Sequence, residues 1–236
     1  TSHAAVSEST RQELIALGVA PATIEVIHNG SDVSPPILPE APSPTIAVLG
    51  RLVPHKRVEI VLDAAAALRP AFPGLRVTVV GQGPWDTRLA EHARALGVAD
   101  VVTFTGWVDE RRKLRLLTEA WVLAMPSIKE GWGLAVMEAA SCRTPSVAFR
   151  VGGLQESVID GVTGVLVDDA RSFTDALGTL LADEGLRSRL GSEAARRAQG
   201  FSWDATGSRF ERLIGELAGG TTPVRVFEPV PLVIEP

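Results

Sequence analysis

Short, mainly apolar segments recur along the middle of the chain, each leading through a loop into a stretch with helical spacing. Six of them are predicted to be strands: Ile46–Gly50, Arg76–Val80, Val101–Thr105, Ala120–Met125, Ser146–Phe149 and Gly164–Val167. Apolar strands that alternate with helices are typical of parallel strands buried on both faces. The pattern therefore predicts an α/β fold with a doubly wound, Rossmann-like parallel sheet.

The segments around this alternation divide the chain into five parts. Residues 1–32 form one strand–helix–strand pattern, which cannot bury both faces of a sheet alone, so we expect them to end a larger N-terminal domain. Five prolines between positions 34 and 44 predict an extended linker over residues 33–44. We expect the doubly wound domain over 45–200, a C-terminal helix over 201–218, and a tail over 219–236 that is either an edge strand or an ordered extension.

Composition argues against several partners and locations. The 28 acidic and 23 basic side chains give a net charge of −5, whereas surfaces that bind nucleic acid usually carry a basic excess. The single cysteine, Cys142, cannot form an internal disulfide, which favours a reducing compartment. No apolar run approaches the roughly 20 residues of a membrane helix. We therefore expect a soluble, cytoplasmic protein without a nucleic-acid partner.

Glycines cluster where the predicted strands end, which is where doubly wound sheets bind ligands. A dinucleotide fingerprint is disfavoured, because its third glycine after Gly81-x-Gly83 would be Asp86, whose carboxylate would face the pyrophosphate. Phosphate-loop, serine-nucleophile and zinc-binding patterns are absent, and the four scattered histidines form no ligand set.

Two glutamates flank a predicted helix start between positions 126 and 139. Glu130 lies just before the helix and Glu138 about one turn inside it. A helix N-terminus favours phosphate, and a carboxylate can accept two hydroxyls of a sugar diol. Arg51 and Lys56 follow the first core strand and supply the cations that a diphosphate requires. The spacing alone fits ordinary capping and surface residues equally well, so both interpretations stay open.

The same residues belong to a longer series of motifs in one order. The series comprises Gly50-Arg51 with Lys56, Gly81-x-Gly83, Gly106-Trp107, Pro126-Ser127, Glu130-Gly131-x-Gly133-x4-Glu138-Ala139, Gly152-Gly153-Leu154-x-Glu156-Ser157 and Gly161-x2-Gly164. Their order and spacing resemble the nucleotide-sugar-dependent glycosyltransferases of family 4, the "group 1" retaining enzymes with the GT-B fold. The resemblance covers about residues 1–218. It departs at Arg57, where glycine is common, and at Trp132, where phenylalanine is frequent.

The resemblance implies a role for each matching position. Arg51 and Lys56 would hold the diphosphate and stabilise the leaving nucleotide, and Glu130 would bind the donor sugar, so these three are the expected catalytic residues. Glu138 would bind the ribose diol. The other expected donor-binding residues are Gly50, Gly83, Trp107, Val108, Gly131, Trp132, Gly133 and Leu134, with Trp107 and Val108 at the base pocket. Because cations and a helix dipole replace Mg²⁺ in this family, no metal and no cofactor besides the nucleotide sugar are expected.

The resemblance also implies that the chain is the donor-binding half of a retaining enzyme that transfers a hexose to a glycan, lipid or small molecule. The acceptor domain would then be a partner, and this chain alone is expected to bind nucleotide sugar weakly and to transfer nothing. One alternative is a non-catalytic binding or interaction module of the same fold. Another is a GT-B epimerase or phosphorylase, although a phosphorylase needs a buried cofactor lysine and the chain has only Lys56, Lys113 and Lys129.

Two further partner interpretations concern the surface. A basic helix face is either solvated, which is favoured, or in contact with anionic lipid at the inner face of a membrane; its residues are Arg111, Arg112, Lys113 and Arg115. The surface that the rest of a GT-B enzyme would cover also predicts self-association of this chain.

Overall fold

The chain begins with a parallel pair of strands joined by one helix. The structure, a computed structural model, describes residues 2–219. This N-terminal unit consists of β1 (His3–Ala5), α1 (Glu8–Ala16) and β2 (Ile24–Val26). Helix α1 begins after Ser7, whose Oγ accepts a hydrogen bond from the amide of Thr10 at 3.0 Å. The amides of Glu8 and Ser9 both donate to the carboxylate of Glu156 at 2.8 Å, which attaches the unit to the rest of the chain.

A six-stranded, wholly parallel sheet follows. Its strands are β3 (Thr45–Leu49), β4 (Arg76–Val80), β5 (Val102–Gly106), β6 (Val122–Met125), β7 (Ser146–Phe149) and β8 (Gly164–Val167). Their order across the sheet is β5-β4-β3-β6-β7-β8, so the strand order reverses between β3 and β6. Every residue of β6 and β7 is buried, as expected for strands covered on both faces. The predicted doubly wound, Rossmann-like sheet is confirmed.

Helices cover both faces of the sheet and create two apolar cores. They are α2 (Val58–Leu68), α3 (Asp86–Ala95), α4 (Glu110–Glu119), α5 (Leu134–Ser141), α6 (Leu154–Ser157), α7 (Ala170–Ala182) and α8 (Glu184–Ala198). Alternation along β3 directs Ile46 and Val48 into one core and Ala47 into the other. Phe173 and Leu177 of α7 are fully buried in the first core. Burial of one such side chain contributes about 1.5–3 kcal/mol.

The clearest difference from the predicted elements is the end of α2. The sequence predicts this helix as far as Phe72, but it ends at Leu68. Pro70 has no amide hydrogen to donate to a carbonyl in the preceding turn, so the helix cannot continue through it. The chain then turns over residues 69–74 before β4.

The last described helix, α9 (Trp203–Leu217), returns to the N-terminal unit. Thr206 Oγ1 donates to the carbonyl oxygen of His28 at 2.8 Å, and the amide of Ser31 donates to the carbonyl oxygen of Phe201 at 2.9 Å. Gly30 permits this contact, because a Cβ at position 30 would lie 2.2 Å from the backbone nitrogen of Trp203. The N-terminal unit is therefore held by α9 as well as by Glu156.

The proline-rich segment 33–44 has no regular secondary structure, but its C-terminal part is fixed. Trp121 Nε1 donates to the carbonyl oxygen of Ala41 at 2.8 Å. Arg187, only 3% exposed, stacks on the Trp121 ring and forms an ion pair with Glu40 at 3.1 Å. The segment thus has one end attached to the body of the protein, and an extended linker stays a prediction.

Two sequence-based expectations concern the remaining chain. The tail predicted over 219–236 lies outside the described residues, apart from Gly219. None of the helices within residues 2–219 combines the length and apolar content needed to cross a membrane.

Candidate active site

Two adjoining clefts meet at the carboxyl end of β3, the smaller one also reaching the end of β6, where the strand order reverses. The larger cleft has a volume of about 730 Å³ and the smaller one about 390 Å³. Leu49 and Gly50, at the end of β3, line both. Ligands of doubly wound sheets bind at this reversal point, because the loops there diverge and leave a crevice.

An ion pair joins the loops that follow β3 and β6. Lys56, at the end of a short 3-10 turn, directs its Nζ to Oε1 of Glu130. The hydroxyl of Ser127 donates to the same oxygen at 3.0 Å. The side chains of Lys56 and Glu130 are only 19% and 12% exposed, and both residues line the smaller cleft. The structure therefore brings together two of the predicted catalytic residues from positions far apart in the sequence.

The glycine pair after β7 determines where the Glu130 loop lies. The amide of Gly153 donates to the carbonyl oxygen of Glu130 at 2.9 Å. A Cβ at Gly152 would lie 2.4 Å from that oxygen, and one at Gly153 would lie 2.2 Å from the carbonyl oxygen of Gly131. Such close contact between two backbones requires glycine. The pair was recognisable in the sequence as a motif, but its role was not. The structure shows that it supports the loop that carries Glu130.

Helix α5 directs its N-terminus into the smaller cleft. Its N-cap is Gly133, which has a left-handed φ of 88° and supplies no side-chain hydrogen bond to the first turn. Gly131, Gly133 and Leu134 all line this cleft. The positive end of the helix dipole and the Lys56 ammonium therefore face one space, which suits an anion such as phosphate.

Glu138 lies farther along α5 and is paired with a residue that sequence analysis assigned elsewhere. Lys113 Nζ lies 2.7 Å from Oε1 of Glu138 and 2.7 Å from Oε2 of Glu110. Partial burial opposes the charged form, but hydrogen bonds to Glu110 and Glu138 hold the pKa of Lys113 above its usual value. Lys113 was predicted on an exposed basic face. The structure turns it into the larger cleft and leaves Arg111 exposed.

The larger cleft is formed by backbone on one side and by the β5–α4 loop on the other. A Cβ at Gly83 would lie 2.3 Å from the carbonyl oxygen of Leu52, so the Gly81–Gly83 turn packs directly on the loop after β3. Trp107 is 73% exposed and, with Val108, lines the opposite wall. Arg51 lies between these walls and has no ion-pair partner within residues 2–219. Arg51, Gly83, Trp107 and Val108 thus surround one open cleft, whereas Lys56 lies in the smaller cleft.

Trp132 has a second role that the sequence did not indicate. The residue lines the smaller cleft, as expected for a wall, but it is only 3% exposed. Its ring lies 4.3 Å from the ring of His28 and 5.1 Å from that of Phe201, centroid to centroid. Burial lowers the pKa of His28, although Glu156 opposes this shift. Trp132 thereby joins the Glu130 loop to His28, which follows the N-terminal unit, and to Phe201, which precedes α9.

In the part of the chain that the structure describes, no group of three histidine, cysteine or carboxylate side chains is arranged to hold a metal ion. The charged groups around the two clefts are instead Arg51 and the paired cations and carboxylates, which suit hydrogen bonding to a polar, anionic ligand.

Comparison with known proteins identifies the family. The family model for glycosyl transferases group 1 matches residues 34–197, which supply the lining of the larger cleft and most of that of the smaller one. The chain belongs to this family. The resemblance predicted from the motifs is therefore confirmed.

Relatives of this group 1 chain include two proteins named D-inositol 3-phosphate glycosyltransferase. The protein from Actinosynnema mirum is 42% identical over 173 residues, which cover 68% of this chain and 41% of the relative. The protein from Kribbella flavida is 34% identical over 224 residues, which cover 85% of this chain and 53% of the relative. The chain thus spans about half the length of the relatives it matches, or less.

A solved structure supports the fold. The crystal structure of Anabaena HepE in complex with UDP and glucose superposes with a TM-score of 0.81 at 22% identity. The match covers 90% of this chain and 62% of that protein. At this identity the likeness establishes the shared fold.

Proposed function

We propose that this chain is the nucleotide-sugar-binding half of a retaining glycosyltransferase. The observation that carries the proposal is the convergence of three cations, three carboxylates and an uncapped helix N-terminus on two adjoining clefts. A nucleotide sugar offers groups that complement them, with a flat aromatic base, a diol, a diphosphate and a second polyol in series. The relatives' names specify a glycosyltransferase, and the HepE structure contains UDP and glucose.

The diphosphate would bind where the two clefts meet, beside Gly50. Lys56 and Arg51 would supply positive charge, and the first amides of α5 would donate hydrogen bonds. The same groups would stabilise the charge that develops on the leaving nucleotide, which explains how the reaction could proceed without a metal.

The two carboxylates would recognise the two sugars of the donor. Glu130, in the smaller cleft, would accept hydroxyls of the transferred hexose, and its pairing with Lys56 supports a sugar site beside the diphosphate site. Glu138, between the clefts, would accept the ribose hydroxyls, with the base against Trp107 and Val108 in the larger cleft.

Transfer would break the bond between the anomeric carbon and the diphosphate oxygen, and the nucleoside diphosphate would leave with the electron pair. The acceptor oxygen would form the new bond on the same face of the sugar and pass its proton to the departing diphosphate oxygen. Because the matched relatives extend well beyond this region, we propose that the chain alone binds the donor and does not complete this step.

Titration calorimetry tests the proposal directly. The chain would be titrated with UDP, GDP and ADP and with their glucose or mannose conjugates, alongside Glu138→Ala and Arg51→Ala. We expect selective binding of one nucleotide that both variants lose. A folded chain that binds none of these ligands would contradict the donor-binding function and favour the interaction module.

Location and further partners are part of the same proposal. Cys142 is buried and unpaired, and burial raises the pKa of its thiol to about 11, which suits a cytoplasmic protein with no disulfide.

Contact with an anionic membrane would rest on the exposed Arg111, Arg112 and Arg115 without Lys113. Sedimentation with anionic and neutral vesicles would distinguish that contact from a solvated helix.

Self-association would use the apolar face of α9. Exposed apolar side chains on that helix are Trp203, Phe210, Ile214 and Leu217. Analytical ultracentrifugation over a range of concentrations would detect such association.

A further inference from the structure

Lys113 occupies the boundary between the two clefts. Its ammonium lies between the carboxylates of Glu110 and Glu138, 2.7 Å from an oxygen of each. Glu110 and Lys113 line the larger cleft, whereas Glu138 lines the smaller one. We propose that Lys113 is a positioning residue that orients Glu138 toward the ribose of the donor. The inference rests on the proposed function of Glu138.

The geometry restricts the Glu138 side chain. A glutamate on a helix surface has several accessible rotamers, and a carboxylate that moves among them binds a diol poorly because ordering it reduces affinity. The charge-assisted hydrogen bond from Lys113 selects one rotamer before the ligand arrives. Glu110 holds the ammonium from the other side, so Lys113 itself has little freedom.

The fold fixes the lysine as well. Asp109 caps α4 by accepting a hydrogen bond from the amide of Arg112 at 2.7 Å, which places the start of the helix at the edge of the larger cleft. Leu114, the next residue after Lys113, is buried in the core. The Lys113 side chain lines the larger cleft and is only 16% exposed.

The pair leaves Glu138 able to bind a diol. Lys113 contacts Oε1 of Glu138, and a carboxylate has two oxygens with about four lone-pair sites in total. Two hydroxyls can therefore still donate to it.

If Lys113 orients Glu138 toward the ribose, recognition of the ribose 2′-hydroxyl should depend on Lys113. The 236-residue chain would be titrated with UDP and 2′-deoxy-UDP, and with the corresponding guanosine and adenosine pairs, so that the nucleotide it accepts is included. We expect the parent to bind the ribonucleotide about tenfold more tightly than the deoxy form, as for one hydrogen bond to a charged group. Lys113→Met should bring this ratio close to one while affinity for the deoxy form changes by less than about threefold.

Three further variants separate positioning from general stability. Arg115→Met removes an exposed cation from the same helix and should leave the ratio unchanged. Glu110→Gln should reduce the ratio by a smaller factor, because it loosens the ammonium without removing it; it also provides the test if Lys113→Met does not fold. In a Glu138→Gln background, Lys113→Met should have no further effect on the ratio.

The outcomes distinguish this inference from the proposed function. A folded parent chain that binds no nucleotide would overturn both. A parent that discriminates between the two sugars, with Lys113→Met retaining the full ratio or weakening both ligands equally, would overturn the positioning role alone.

Discussion

Replacing Gly153 by alanine sets two physical effects against each other. The backbone at this position has φ −66° and ψ −10°, an ordinary helical conformation that alanine adopts more readily than glycine. Conformational entropy alone therefore predicts that the variant is more stable by about 0.4–1 kcal/mol. The structure predicts the opposite, because the new Cβ would lie 2.2 Å from the carbonyl oxygen of Gly131 and 2.7 Å from Cα of Trp132.

The size of the effect follows from these contacts. The two backbones must separate by about 1 Å, and overpacking of this kind costs about 1–3 kcal/mol. After subtraction of the entropic gain, the free energy of unfolding should fall by about 1–2 kcal/mol, which lowers Tm by about 2–8 °C in a domain of this size. Because the displaced loop carries Glu130, affinity for a nucleotide sugar should fall more than affinity for the nucleotide alone.

Thermal unfolding and calorimetric titration with UDP and UDP-glucose would measure both effects. The matched control is Gly207→Ala in α9, where no atom lies within 4 Å of the added Cβ; its stability should rise by about 1 kcal/mol. If Gly153→Ala behaved like this control and kept its affinity for UDP-glucose, the glycine pair would not support the Glu130 loop as described.

Three other changes test separate parts of the structure. Lys56→Met should weaken UDP binding about ten- to hundredfold in calorimetry, since a charge-assisted contact is lost. Lys129→Met, which removes an exposed lysine, is the control. An equal loss of UDP affinity in the two variants would contradict a binding site at Lys56. Phe173→Ala should lower the free energy of unfolding, measured in urea, by about 3–5 kcal/mol. Phe210→Ala should lower it far less, because the Phe210 side chain is 39% exposed. Similar decreases in the two variants would argue against the core described for α7. The folded-state pKa of His28 is below its unfolded value of about 6.5, so the unfolded chain binds more protons and stability falls as pH drops through that value. The free energy of unfolding of His28→Gln should therefore fall less than that of the parent between about pH 7.5 and pH 5.5. An equal fall in both proteins would contradict the lowered pKa of His28.

The sequence was sufficient for features that depend on local pattern. Apolar runs such as Ile46–Leu49 identify buried parallel strands, and their carboxyl ends meet at one edge, so the loops with Lys56 and Glu130 could be assigned to one site. It was not sufficient for features that depend on how two distant elements pack. Lys113 and Glu138 are 25 positions apart on different helices, and the charge pattern of α4 alone suggested an exposed basic face.

Trp132 is a second residue whose packing could be predicted only in part from the sequence. Its motif position indicated a wall of the sugar pocket, and the structure does place it at the smaller cleft. Its burial between His28 and Phe201, however, arises because the chain returns to the N-terminal unit after α8. The sequence predicted a helix over 201–218 but not that the residues before it would pack on Trp132.

The attachments of the N-terminal unit differ in how they respond to salt. Glu156 holds the start of α1, and the start of α9 holds residues 28–31. The buried ring of Trp132 adds a third contact, against His28. The ion pair between Arg212 and Glu25 at 2.9 Å is partly exposed and is therefore screened by salt. Rising ionic strength should thus loosen the contact between β2 and α9 first, while the hydrogen-bonded and buried attachments keep the unit in place.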